Sequence, residues 1–260
     1  MEISAETLAV GKMENCFRDA SDYVERYLTE GATLTSGAAA MATLHLSARS
    51  LADMRSGQFL ASSGLVIQMA SVVRPVIESL NLIELFAEEP EAAERWAAGR
   101  WQEFMPAVVR KRLGVGDDPV YSWLSEVSHP RFAGLQITMY QIVREKDEGE
   151  GDHPEARVYI GGLPLEMPPV LIATMFPSNV LCMLVEQLRH CPVKEEVERT
   201  WPAVARQVAE AILPGHEAIV CMLREQGEDE EMTTRMLDNI QTVIVNAREL
   251  EEVSRRSKPG

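Results

Sequence analysis

Apolar and polar positions along residues 64–88 divide unequally around a helix. At about 100° per residue, Ser71, Arg74, Glu78 and Asn81 form one narrow stripe. Leu65, Val66, Met69, Val72, Val73, Val76, Ile77, Leu80 and Ile83 cover most of the remaining circumference. A helix apolar nearly all round is a buried one, so the stripe is expected to face an interior or a cleft. Pro75 removes a backbone donor within the pattern, which predicts a kink or a break just before it.

Helical patterning recurs on either side. Residues 5–29 carry Leu8, Phe17, Tyr23, Val24, Tyr27 and Leu28 as apolar positions, and Gly31 suits the position past a helix end. A second, alanine-rich helix is expected over 35–55, with His45 on it and Gly57 dividing it from the central helix. Glu89-Pro90-Glu91 opens another helix, through Trp96 and Trp101 to about Phe104. Pro106 restarts the chain into 108–113. After a loop over 114–119, Pro119 opens a short helix that ends at His129-Pro130.

Alternation over 136–143 and 157–160 predicts two short strands around an acidic, glycine-containing loop. Helices resume over 168–190, restart after Pro192 and finish with 229–256. The fold expected is mainly α, a helical bundle with a small β-hairpin near residues 135–162. There is no internal repeat and no clean linker, so residues 1–260 read as a single helical domain, with 145–155 as the alternative lobe boundary.

Composition narrows the function classes. Apolar residues make up 46% and charged residues 25%, as in an ordinary globular chain. A formal charge of −15 argues against broad binding of nucleic acid or anionic membrane, leaving room for a local basic site. Cys16, Cys182, Cys191 and Cys221 form no Cys-x-x-Cys pair, which suits reduced thiols in a cytoplasm. The N-terminus lacks a basic stretch followed by an apolar run, so no secretory signal is read. Ser71, Arg74, Pro75 and Glu78 interrupt the best membrane-spanning candidate. The expectation is a soluble cytoplasmic protein with no membrane partner.

Candidate chemistry centres on two stretches. Arg74 and Glu78, one helical turn apart, read either as an internal ion pair or as part of a ligand or catalytic site. On a helix over 121–131, Ser122, Ser125, Glu126 and His129 share a face, and Arg131 follows. His129 reads as a terminal hydrogen-bonded histidine, or as an acid/base or phosphate-contacting group supported by Arg74, Glu78 and Arg131. Arg74, Glu78, Ser125 and His129 are the catalytic candidates, and Asn81 and Arg131 the ligand-binding ones.

Glu126-x-x-His129 has the spacing of di-iron bundles, but the second Glu-x-x-His, Glu150 to His153, lies in the glycine-containing loop. Glu186 and His190 near Cys182 and Cys191 are weaker still, so neither a metal nor a cofactor is expected. No Gly-x-Ser-x-Gly elbow or phosphate loop occurs. Arg95, Arg100, Arg110, Lys111 and Arg112, with Trp96 and Trp101, read as a phosphate-and-base contact or as a solvated face.

The order of parts adds a resemblance. A helix with Arg-x-x-x-Glu (Arg74, Glu78) is followed by a Glu-Pro turn, a Trp-containing helix, Ser-x-x-x-His-Pro (Ser125, His129, Pro130) and a Gly-Gly strand. Over roughly residues 60–162 this resembles uncharacterised bacterial helical proteins broadly similar to the HEPN superfamily of nucleotide-binding and ribonuclease domains. The HEPN ribonuclease hallmark, an Arg four to six residues before a His, has no counterpart before His129, where Ser122 to Leu124 are not basic. The resemblance implies a helical bundle, dimerisation and a polar cleft near Arg74, Glu78 and His129. The function expected is a HEPN-like intracellular binding or regulatory protein, a homodimer whose ligand is a nucleotide or RNA. Open alternatives are an enzyme (a metal-independent ribonuclease or a metal-assisted hydrolase) and a non-catalytic oligomerisation module.

Overall fold

The computed structural model describes residues 3–33, 37–116, 119–128, 163, 167–228 and 230–256. Helices dominate these residues, and the mainly α expectation holds. Among them no named strand occurs; Ala32 and Val193 form an isolated antiparallel bridge. The β-hairpin expected near 135–162, the 145–155 loop boundary, His129 and Arg131 all lie outside the described residues.

Helix α1 (Ala5–Gly31) starts at Ser4, whose hydroxyl accepts from the Thr7 amide at 3.2 Å. That contact satisfies one of the orphan donors of the first turn. Met13, Phe17, Ala20, Val24, Tyr27 and Leu28 form its buried stripe, which packs chiefly on α9 (Trp201–Glu225). The two helices run antiparallel: Met13 meets Gly215 of α9, whereas Gly31 meets Val193 and Val197, just before α9 begins.

A second layer joins α2 (Ala38–Ser62), α3 (Val66–Glu88) and α7 (Pro168–Gln187). Helix α2 continues seven residues past its expected end and runs straight through Gly57. Gly57 is there for close approach, because a Cβ at that position would lie 2.5 Å from Val73 of α3. Helix α3 likewise continues through Pro75 as one element. The break offered as an alternative at Pro75 does not occur, since packing on α2, α6 and α7 supports the helix through the lost hydrogen bond. The cover of α3 is completed by α4 (Pro90–Ala97), a 3₁₀ turn (Trp101–Phe104), α5 (Pro106–Arg112) and α6 (Pro119–Ser128).

Two helices, Val66–Glu88 and Pro168–His190, are long and apolar enough to cross a membrane by length and composition. Sequence patterning singled out only the first. The most apolar window of the second is 72% buried within the chain, as suits a core helix, against 44% for the first.

After the one-turn α8 (Glu195–Glu198) and α9, the chain ends in α10 (Glu230–Arg256). Ile240, Ile244 and Ala247 are buried, and α10 packs mainly on α9. Of the apolar track read from sequence, Val243 is half-buried and Leu250 is exposed; the side chains of Met232 and Met236 lie outside the described residues. An ion-pair belt ties the two helices, with Arg206 bonded to Glu251 at 2.7 Å and Glu210 at 2.8 Å, and Arg248 to Glu210 at 2.8 Å. Glu251 keeps only 12% of its side chain exposed. Arg206→Ala is therefore expected to cost about 1–2 kcal/mol, read as a lower midpoint in urea that 0.5 M salt partly masks.

Candidate functional site

The polar stripe of α3 sits where sequence periodicity puts it, and it is only partly covered. Arg74 and Glu78 retain 25% and 23% of their side-chain exposure, with Arg74 Nε 3.4 Å from Glu78 Oε1. Ser71 turns to its own helix, donating to the Ile67 carbonyl at 2.9 Å.

Helix α6 crosses α3 at this stripe. Tyr121 donates its phenol O–H to Glu78 Oε1 at 3.1 Å, and Ser125, one turn on, hydrogen-bonds Tyr121. Arg74, Glu78 and Ser125 are thus brought together through a residue that sequence reasoning passed over. Tyr121 stands four residues before Ser125 on the same helix face, and that spacing was the available signal.

Burial and the neighbouring Glu78 carboxylate push the Tyr121 phenol above its ordinary range, with Ser125 and Arg74 opposing. Tyr121 therefore stays protonated at neutral pH and acts as a donor. From above, the Arg110 guanidinium sits 4.5 Å from the Tyr121 ring centroid, and it also donates to the Gly116 carbonyl at 2.6 Å. Such a cation over an aromatic face fixes the ring plane.

Glu78 and Asn81 also line a cleft of about 250 Å³ between α2, α3 and the α4–α5 segment, with Arg49, Trp96, Phe104 and Pro106 among its walls. Arg49 stands at the rim, 62% exposed and 3.4 Å from Asp53. Trp96 is half-buried and packs on Phe86 with ring centroids 5.7 Å apart. A carboxylate with both described contacts on one oxygen is a directed acceptor, and the Asn81 amide beside it supplies donor and acceptor.

A larger, more open groove of about 390 Å³ lies elsewhere, lined by Arg189, Glu195, Arg199 and Trp201 among others. Its arginines already face Glu84 at 3.7 Å and Glu195, and it shares no residue with the stripe. The smaller cleft is the better candidate because Glu78 and Asn81 of the stripe line it.

The basic segment that follows is mostly neutralised. Arg95 pairs with Glu103 at 3.0 Å and lies 3.9 Å from Glu89, Arg100 lies 3.6 Å from Glu103, and Arg112 pairs with Glu89. Among the described residues no group of three or more His, Cys, Asp or Glu could hold a metal ion.

A second polar pair was invisible in the sequence. Ser178 of α7 and His216 of α9 are both fully buried, with Oγ and Nε2 2.7 Å apart. Position 216 lies on the buried track of Ile212, Ile219 and Val220, and in the sequence a histidine there is indistinguishable from any core residue. Ser178 Oγ donates to the Met175 carbonyl at 2.8 Å, so the imidazole donates from Nε2 and leaves Nδ1 without a partner. Among the described residues no acidic group orients this histidine, and neither member of the pair is exposed, which makes the pair a packing element. No family model matches the chain, and no curated protein or solved structure is detectably similar to it.

Proposed function

We propose that this chain is a HEPN-like intracellular binding protein whose cleft beside Glu78 takes the base of a nucleotide. One observation carries the reading: the Glu78 carboxylate is held on Oε1 by Arg74 and Tyr121 while lining a cleft that also contains Asn81. Carboxylates accept from exocyclic amino groups, and amides match the adenine edge bidentately. Trp96 and Phe104 supply apolar walls, and Arg49 at the rim, 62% exposed with its Nε 3.4 Å from Asp53, keeps its other N–H donors for a phosphate. A volume of about 250 Å³ suits one base with its sugar outside.

Extended RNA fits less well, since Arg95, Arg100 and Arg112 already face glutamates and tracking a phosphate backbone takes several available cations. Binding is favoured over catalysis because the Tyr121 phenol, held above its ordinary range, is spent as a donor to Glu78. A cytoplasmic location, a homodimer and the 135–162 hairpin belong to the same proposal; light scattering reads the dimer as twice 28.9 kDa.

Titration calorimetry with AMP, GMP, CMP and UMP tests the ligand class. The amino-bearing bases are expected to bind saturably and more tightly than UMP. Tyr121→Phe, which frees Glu78 to rotate, is expected to weaken the best ligand about 5-fold, from one lost hydrogen bond of about 1 kcal/mol. Absence of heat with all four nucleotides, confirmed by no shift in Tm, would remove the nucleotide reading.

A further inference from the structure

We propose that the outer face of residues 100–115 docks an acidic amphipathic helix of a protein partner. Ten large hydrophobic side chains stand exposed among the described residues, and Trp101, Met105, Val108 and Val115 fall within this one short stretch. Trp101 is 66% exposed, the highest of the ten. The segment is apolar on its inner side too. Phe104 and Val109 are buried, with Phe104 edge-on to Phe86 at 6.1 Å. A short element that already has a buried anchor gains nothing in its own fold from a second apolar face, and clustered exposure of that kind marks an interaction surface.

Charge says what covers it. Residues 95–112 hold five cations, and the two carboxylates paired with them, Glu89 and Glu103, still leave a surplus of three positive charges in a chain of net charge −15. Arg100 is 64% exposed although it lies 3.6 Å from Glu103, and Lys111 is exposed beside the apolar side chains. Trp, Met and Arg are the residue types enriched at protein interfaces. A partner helix presents few carboxylates, which two or three cations can answer, together with apolar anchors for Met105 and Val108. A nucleic acid or an anionic bilayer presents dense negative charge to a chain that is itself strongly negative, and offers Met105 and Val108 less. The turn behind the patch is fixed by the Val115 amide donating to the Arg110 carbonyl at 3.0 Å, so the surface exists before binding.

The proposal stands apart from the nucleotide reading, although Phe104, Pro106 and Val109 put the same segment behind the cleft wall. Fluorescence anisotropy of the full chain tests it, using a labelled helical peptide of about 18 residues, leucine along one face and glutamate elsewhere. Saturable binding is expected that weakens with salt and falls about 10-fold or more in the Trp101→Ala, Lys111→Glu double variant. Both positions are exposed, so circular dichroism should show the variant folded, and the lysine-for-glutamate version of the peptide should not bind. Absence of saturable binding, equal affinity in the double variant, or tighter binding to a poly-U oligonucleotide or to phosphatidylserine vesicles would overturn the proposal.

Discussion

Acidification from pH 7 to about pH 4 is expected to remove roughly 3 kcal/mol of stability through His216 alone, and on the order of 5 kcal/mol below its folded pKa. Burial pushes this imidazole from its ordinary 6.5 down to about 3. Its Nε2 is engaged with Ser178, and a proton added to Nδ1 would find no acceptor. The sign follows from the depressed folded value. Above pH 6.5 neither state is protonated and the contribution is complete; between 6.5 and about 3 only the unfolded chain gains the proton, and stability drains away.

Glu210, held below its ordinary value by Arg248 and Arg206, adds a loss of the same sign at lower pH. Glu186, raised by burial, works in the opposite direction above its ordinary 4.5. Whole-protein stabilities are about 5–15 kcal/mol, so the histidine alone brings the fold close to failure. Urea unfolding at pH 7, 5.5 and 4.5 reads the effect. His216→Gln, which keeps a donor for Ser178 but cannot titrate, should start less stable at pH 7 and lose less between pH 6.5 and 4.5. An unchanged slope in that variant would assign the acid loss elsewhere.

The other large effect is expected at Gly215. A Cβ there would lie 2.7 Å from Met13 Sδ, 2.9 Å from the Met13 Cα and 3.2 Å from the Cys16 Cβ. The sulfur can move aside; the Met13 backbone cannot without parting α1 from α9, the most extensive helix pair among the described residues. Gly215→Val is therefore expected to cost about 3 kcal/mol, and Gly215→Ala less, because alanine recovers about 1 kcal/mol of helix propensity. Differential scanning calorimetry orders the three proteins. A valine variant as stable as the parent would mean that the helices sit farther apart than described.

These two residues also mark where sequence reasoning stopped. The stripe on α3 was legible because Ser71, Arg74, Glu78 and Asn81 break an otherwise apolar surface at one angle, and angle is what periodicity measures. Glycine was misread as punctuation at Gly57, and the break offered beside a kink at Pro75 does not occur, because tertiary packing rather than local propensity decides whether a helix continues. Tyr121 was overlooked because only its hydroxyl matters, and that hydroxyl reaches Glu78 from 43 residues away. The cations of 95–112 read as available because Glu89 and Glu103 become their partners only when the segment folds back. His216 carries no signal beyond its letter, since an apolar track accepts it without a change of period.

In the proposed function Glu78 is held in place to read a ligand, beyond forming an ion pair. Glu78→Gln tests it most directly, with nucleotide affinity and thermal midpoint measured on the same preparation. The amide can still accept from Tyr121, so the midpoint should move by no more than a few degrees. Affinity for the best nucleotide should fall at least 10-fold as the charged acceptor is lost. A variant that binds as the parent does, or one whose only change is a collapse in midpoint, would contradict the account and return Arg74 and Glu78 to the role of a structural pair.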